Sequence, residues 1–188
     1  MGQSQVSEGT PSVDGRQIQK VSMAIHHAAE NCHLAVVKYL LEANDGLLEI
    51  KDSLGQSPLA CAISSDSRSV EIARLLLSKK ANTETRDNKG CTPLHRAASV
   101  GNVALVDLLL NNRANVYALT NNGDMAIHLA VMSNHVNVVK LLLEERPDLM
   151  GARNKRQNTP YKQALLDKSN RSDVVRFLKN WDASFCSN

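Results

Sequence analysis

The sequence predicts an all-α fold, a solenoid of stacked helix-turn-helix units. Three observations predict it. The stretch GCTPLHRAASVGN at residues 90–102 has near copies elsewhere in the chain. Each copy is followed by an aliphatic run such as Leu108-Leu109-Leu110. Only 3% of the 188 residues are aromatic against 43% hydrophobic overall, so small and aliphatic side chains must do the packing. That composition suits helices in close contact better than the two faces of a β-sandwich.

The register can be read from five starts, Met23, Ser57, Thr92, Met125 and Thr159, spaced by 34, 35, 33 and 34 residues. One position on stand Ala24, Pro58, Pro93, Ala126 and Pro160. Five positions on, every unit has alanine: Ala28, Ala62, Ala97, Ala130 and Ala164. A hydroxyl at Ser57 or Thr92 can cap the first helix of its unit. Proline at the next position is tolerated because that amide has no partner within the helix. The alanines let neighbouring helices approach. Gly101 can adopt the left-handed conformation that ends a helix, and Asn134 at the same offset can do so too. Cys32 in unit one fits that position less well. The Leu runs then build a second helix, each buried leucine contributing about 1.5–3 kcal/mol.

Tight turns precede the first helices. Asp52-Ser53-Leu54-Gly55, Asp87-Asn88-Lys89-Gly90 and Thr120-Asn121-Asn122-Gly123 have β-turn chemistry. Unit five offers Asn154-Lys155-Arg156-Gln157, which lacks the glycine. Units two and five carry two extra residues between their helices (64–69 and 166–172), so those loops should bulge. Pro147 should stop the second helix of unit four.

TPLHRAASVGN followed by VALVDLLLNNRAN resembles the ankyrin repeat, a unit of about 33 residues built from a turn and two helices. The resemblance covers about residues 20–180. It implies repeats over about 20–51, 52–86, 87–119, 120–153 and 154–181, with the turns projecting as fingers. Residues 1–19 read as a disordered polar tail, and the rest of the chain to 188 as a single domain. Unit one lacks a turn, as an N-terminal cap would, and the charged end of unit five reads as the opposite cap.

His26, His95 and His128 share one repeat offset and could be mistaken for metal ligands. A zinc site needs a closed set of ligands at one place, and the resemblance instead implies a structural histidine bonded near the turn. No nucleophile-elbow, phosphate-loop or metalloprotease motif is present. The expectation is therefore no enzyme, no cofactor, no metal and no small-molecule substrate. Cys32, Cys61, Cys91 and Cys186 form no Cys-x-x-Cys pair and read as reduced thiols of a cytoplasmic or nuclear protein. Aromatic platforms and a long basic stripe are missing, which argues against nucleic acid. Membrane recruitment would need an acylated Gly2, and the acylation pattern wants Ser or Thr where Val6 stands.

What remains is surface. The resemblance implies a protein-binding module, monomeric when free, that engages another protein through finger tips and a concave face. The concave candidates are Arg96, Ser99, Val100, Leu129 and Met132, an Arg, Met and aliphatic mixture like the core of a protein interface. Candidate tips are Asn88, Lys89, Asn121, Asn122 and Asp124. From Arg146 onward there are nine Lys/Arg and four Asp/Glu, a balance of +5. This places Arg153, Lys155 and Arg156 as a docking patch for an acidic surface. Two small stand-alone types fit the size by analogy, the proteasome-assembly chaperone and the cyclin-dependent-kinase inhibitor.

Overall fold

The computed structural model describes residues 15–166 and 173–185. Helices pair in chain order: α1 (Gly15–Glu30) with α2 (Leu34–Ala43), α3 (Pro58–Cys61) with α4 (Ser69–Ser78), and α5 (Pro93–Val100) with α6 (Val103–Asn111). α7 (Ala126–Met132) with α8 (Val136–Glu145) and α9 (Pro160–Leu166) with α10 (Asp173–Phe185) complete the stack. The odd-numbered helices touch one another in sequence and form one layer. The even-numbered helices form the other. No strand is present among the described residues.

The core lies between the layers. All five offset-five alanines are buried, as are Leu41, Leu76, Leu109, Leu142 and Leu178 from the aliphatic runs. Pro58, Pro93 and Pro160 each open a helix. Ser57 Oγ accepts the Ala60 N–H at 3.4 Å, the cap expected of it.

Three expectations need correction or completion. The first helix starts at Gly15, so residues 15–19 are helical, and the rest of the expected tail, 1–14, lies outside the described residues. Ile18, Val21 and Ile25 extend the helical apolar spacing backwards into that stretch. Unit one, read as the N-terminal cap, leaves Met23, Val36 and Tyr39 68%, 46% and 70% exposed, where their counterparts Thr92, Leu105 and Leu108 are buried. The extra residues of unit two leave α3 only four residues long. Their loop is tied by an Arg68–Asp66 ion pair at 2.7 Å and by Ser69 Oγ–H donating to Asp66 O. The corresponding loop of unit five falls at 167–172, outside the described residues.

α8 ends at Glu145, and Pro147–Gly151 forms a 3₁₀ turn that buries Leu149. Asp45–Glu49 does the same for Leu47 in unit one.

The fingers stack on one another. In each, the fourth residue's N–H closes the turn onto the first residue's carbonyl: Gly55 on Asp52, Gly90 on Asp87, Gly123 on Thr120 and Gln157 on Asn154, at 2.9–3.0 Å. The next finger then bonds to the last. Asn88 N–H donates to Leu54 O at 2.9 Å, Asn121 to Lys89 O at 3.0 Å, and Lys155 to Asn122 O at 3.4 Å. A Cβ on Gly90 would stand 2.8 Å from the backbone nitrogen of Asn121, so glycine is required for that approach.

Gln157 shows what happens where no described finger follows. It keeps the left-handed backbone, φ 58°, without glycine. Cys32, Lys80, Arg113 and Asn134 also sit at positive φ. A non-glycine residue there costs about 1–2 kcal/mol, partly offset by the entropy that glycine loses on folding. Lys80→Gly, Arg113→Gly and Gln157→Gly together should raise the unfolding free energy by about 2 kcal/mol in a urea titration.

Histidines fasten unit to unit. His95 Nδ1 accepts the Thr92 N–H at 3.2 Å, and its Nε2–H donates to Asp124 O, in unit four, at 3.0 Å. His128 repeats this with the Met125 N–H at 3.3 Å and Asn158 O, in unit five, at 3.1 Å. His26 Nε2 lies 3.0 Å from both Ile50 O and Gln56 O. Unit two has Ala60 at this offset, so the seam between units two and three has no such bridge.

Candidate functional site

The inner helices present their outward residues beside the finger row. Arg96 and Val100 on α5 and Leu129 on α7 are half-buried; Ser99 and Met132 are exposed, Met132 by 45%. The aliphatic members therefore pack partly between neighbouring helices, and Met132 stands clear. A shallow recess of about 80 Å³ gathers Asn122 and Asp124 of the fourth finger, Asn154 and Arg156 of the fifth, Met132 of α7 and Gln163 of α9. Finger residues and inner-helix residues thus share one groove wall.

The tip residues divide by role. Asn88 and Asn121 are exposed, but their amides are in use: Asn88 Nδ2 donates to Ser53 O and Asn121 Nδ2 to Asn88 O, both at 3.1 Å. Lys155 Nζ likewise donates to Asn121 O at 2.7 Å. These three side chains fasten the fingers together. Lys89, Asn122, Arg153 and Arg156 are exposed, and no bond from their side chains is formed among the described residues.

Asp124 is corrected. It is buried, 8% exposed, and Oδ1 accepts Asn154 Nδ2 at 2.7 Å. Asn154 Oδ1 in turn accepts the N–H groups of Arg156 and Asn158 at 3.0 Å. Asp124 therefore anchors the fifth finger and is not presented to a partner. Asn154, which the sequence offered only as the first letter of a turn, shapes the floor of the recess.

The thiol of Cys61 lies on the same inner row, one unit before Arg96. It donates to Gln56 Oε1 at 3.4 Å, and burial, with the Asp52 charge second, pushes its pKa up to about 12. It should resist iodoacetamide at pH 8 in the folded protein and react fully in denaturant, as peptide mass mapping would show. Burial also raises the Cys91 thiol. No group of three or more metal-ligating side chains converges among the described residues. No described helix is long and apolar enough to cross a membrane.

The comparisons with known proteins agree with this architecture. The family profile described as "Ankyrin repeats (3 copies)" matches residues 12–87 and 94–188. The mouse protein named Ankyrin repeat domain-containing protein 53 is 34% identical over 80 residues, which is 42% of this chain and 16% of the relative. The Saccharomyces cerevisiae protein named Probable 26S proteasome regulatory subunit p28 is 36% identical over 85 residues, 44% of this chain and 36% of the relative. The aligned stretch thus spans well under half of either relative.

Proposed function

The chain belongs to the ankyrin-repeat family, and on that premise we propose that it is a non-catalytic adaptor whose groove holds another protein. The observation that carries this reading is the meeting of exposed Met132 with Asn122 and Arg156 in one recess formed by two fingers and two inner helices. An apolar centre ringed by polar groups is the composition of an interface core. Stacked fingers and bridging histidines hold the groove in shape before binding, which limits the ordering cost of association. Free thiols at Cys32, Cys61 and Cys91 accord with a cytoplasmic or nuclear setting.

The test is quantitative capture from a native extract, comparing the natural chain with Met132→Glu. Circular dichroism first establishes that the variant is folded. A protein retained near stoichiometry by the first and lost by the second supports the reading. An unchanged set of captured proteins removes the groove as the binding site.

A second reading is favoured by one comparison. The yeast relative is named as a probable regulatory subunit of the 26S proteasome, so a role in regulating or assembling a multi-subunit protease is the more specific form of the same adaptor function. Recovery of proteasome subunits in the capture supports it; their absence beside another stoichiometric partner overturns it.

A further inference from the structure

We propose that the N-terminal end of the stack is a self-association face, where a second copy of this chain docks through its own unit one to form a closed two-fold pair. The inference does not depend on the groove reading and concerns the far end of the molecule. It replaces the monomer that the resemblance implies.

The first observation is that only one end of the stack is capped. Terminal units of a solenoid stay soluble by turning a polar face outward. Val36 on α2 is 46% exposed, whereas the residues at its offset in the later units, Ile72, Leu105, Val138 and Val174, are no more than 1% exposed. In each later unit the outer helix lies against the outer helix of the unit before it. Tyr39, three residues beyond Val36 on the same helix face, and Met23 on α1 are more exposed still. The other end differs. At the offset where units one, two and four bury Leu41, Leu77 and Leu143, unit five has exposed Lys179. At the offset of the bridging histidines it has exposed Lys162. Leu165 is 50% exposed there, with Lys162 three residues before it on the same face of α9. The C-terminal end thus carries charge at positions that interior units bury. The N-terminal end keeps aliphatic and aromatic side chains at its own.

The second observation selects the occupant. Within the stack, this kind of face is covered by the side of a helix pair, a shape that an extended peptide does not match. Residues 1–14 offer Met1, Val6 and Val13, scattered among polar residues. A second copy offers a helix pair with the same apolar centre. The only charges on α2 are Lys38 and Glu42, and they pair with each other at 4.0 Å. Two copies of α2 therefore meet without an excess of like charge, and a two-fold axis lets each Lys38 face the other copy's Glu42. Stacking unit one on unit five of another copy would instead press Lys162 and Lys179 onto Met23, Val36 and Tyr39. That buries charge without a partner and propagates into an open filament.

The third observation is size. The face spans a 16-residue and a 10-residue helix, about 24 and 15 Å long. At about 10 Å of width each, they present roughly 400 Å² in projection, at the lower end for specific pairs once side-chain relief is added. The pair is therefore weak, with a dissociation constant on the order of 10 μM. Arg96, Met132 and Arg156 belong to units three to five, so both grooves stay open and the paired adaptor has two arms.

Sedimentation velocity of the purified full chain, over about 1 to 300 μM to bracket that constant, tests the proposal. The mass should rise from monomer to dimer and stop there. Tyr39→Glu, at a side chain open to solvent, should raise the dissociation constant at least about thirtyfold, because symmetry sets two like charges in one apolar contact. Mixing Tyr39→Glu with Tyr39→Lys should restore association, which a face meeting itself permits and an end-to-end stack does not. Leu165→Glu, at the other end, should change nothing. Circular dichroism confirms that each variant is folded. A monomer at every concentration would overturn the proposal and leave the face to residues 1–14 or to a foreign protein. So would a dimer indifferent to Tyr39→Glu, or growth beyond the dimer that Leu165→Glu abolishes. None of these outcomes alters the Met132-dependent capture, so the two readings fail separately.

Discussion

Replacing His95 with alanine is expected to destabilise the chain by about 3 kcal/mol, because it strands a buried N–H and a buried carbonyl at once. The ring is 1% exposed and joins the Thr92 N–H to the Asp124 carbonyl across two units. A urea titration measures the loss directly. His128→Ala should behave alike, since its ring makes the same two kinds of bond. The bonds also fix the tautomer. Nδ1 must accept and Nε2 must donate, so both rings are neutral when folded. Burial, outweighing the backbone bonds that favour the charged ring, pushes both pKa values below the ordinary histidine range. The unfolded chain then binds protons more readily than the folded one. Stability should be flat above pH 7 and fall as the pH drops through about 6.5, the unfolded value, levelling only below the folded values. A double His95→Ala/His128→Ala variant should be less stable at neutral pH and lose much of that slope. A natural chain whose midpoint does not change between pH 7 and pH 5.5 would contradict this.

Gly90→Ala should cost about 2–3 kcal/mol, from left-handed strain plus one displaced backbone bond. The backbone sits at φ 75°, and the added Cβ would press on the Asn121 nitrogen at 2.8 Å. The fourth finger would have to shift, giving up the 3.0 Å bond from Asn121 N–H to Lys89 O. Gln157→Gly, at the matching turn position, should move stability in the opposite direction. A thermal melt of the two variants beside the natural chain separates the effects of backbone conformation and of finger stacking.

Much of the scaffold was legible because it repeats. Five alanines at one offset, prolines at helix starts and glycines at the fingers each answer a local steric demand, so single letters disclose them. The shared histidine was legible as structural once the register was known. The left-handed backbones at Lys80, Arg113 and Gln157 were not, because no glycine marks them and their neighbours impose the conformation. The burial of Asp124 was hidden for another reason. Its partner Asn154 stands thirty residues away, and the turn pattern alone places both at exposed tips. The groove was legible only as a set of offsets.

Ala60 leaves the second seam without the buried histidine bridge. What crosses it instead are the Asn88 N–H on Leu54 O and its amide on Ser53 O, the Arg86 guanidinium on Leu119 O, the Asn115 N–H on Glu84 Oε1 and the Asn102 amide on Ser64 O. In a quasi-one-dimensional stack, stability is a sum of units and of the couplings between neighbours. One weaker coupling divides such a sum into two cooperative blocks, and the seam between the first two units and the last three is where the histidine is missing and the short α3 meets its inner neighbour least. The three-unit block contains Arg96, Met132 and Arg156. Fraying that starts at the N-terminal end should therefore stop more readily at this seam than at the others, leaving the proposed groove beyond it intact.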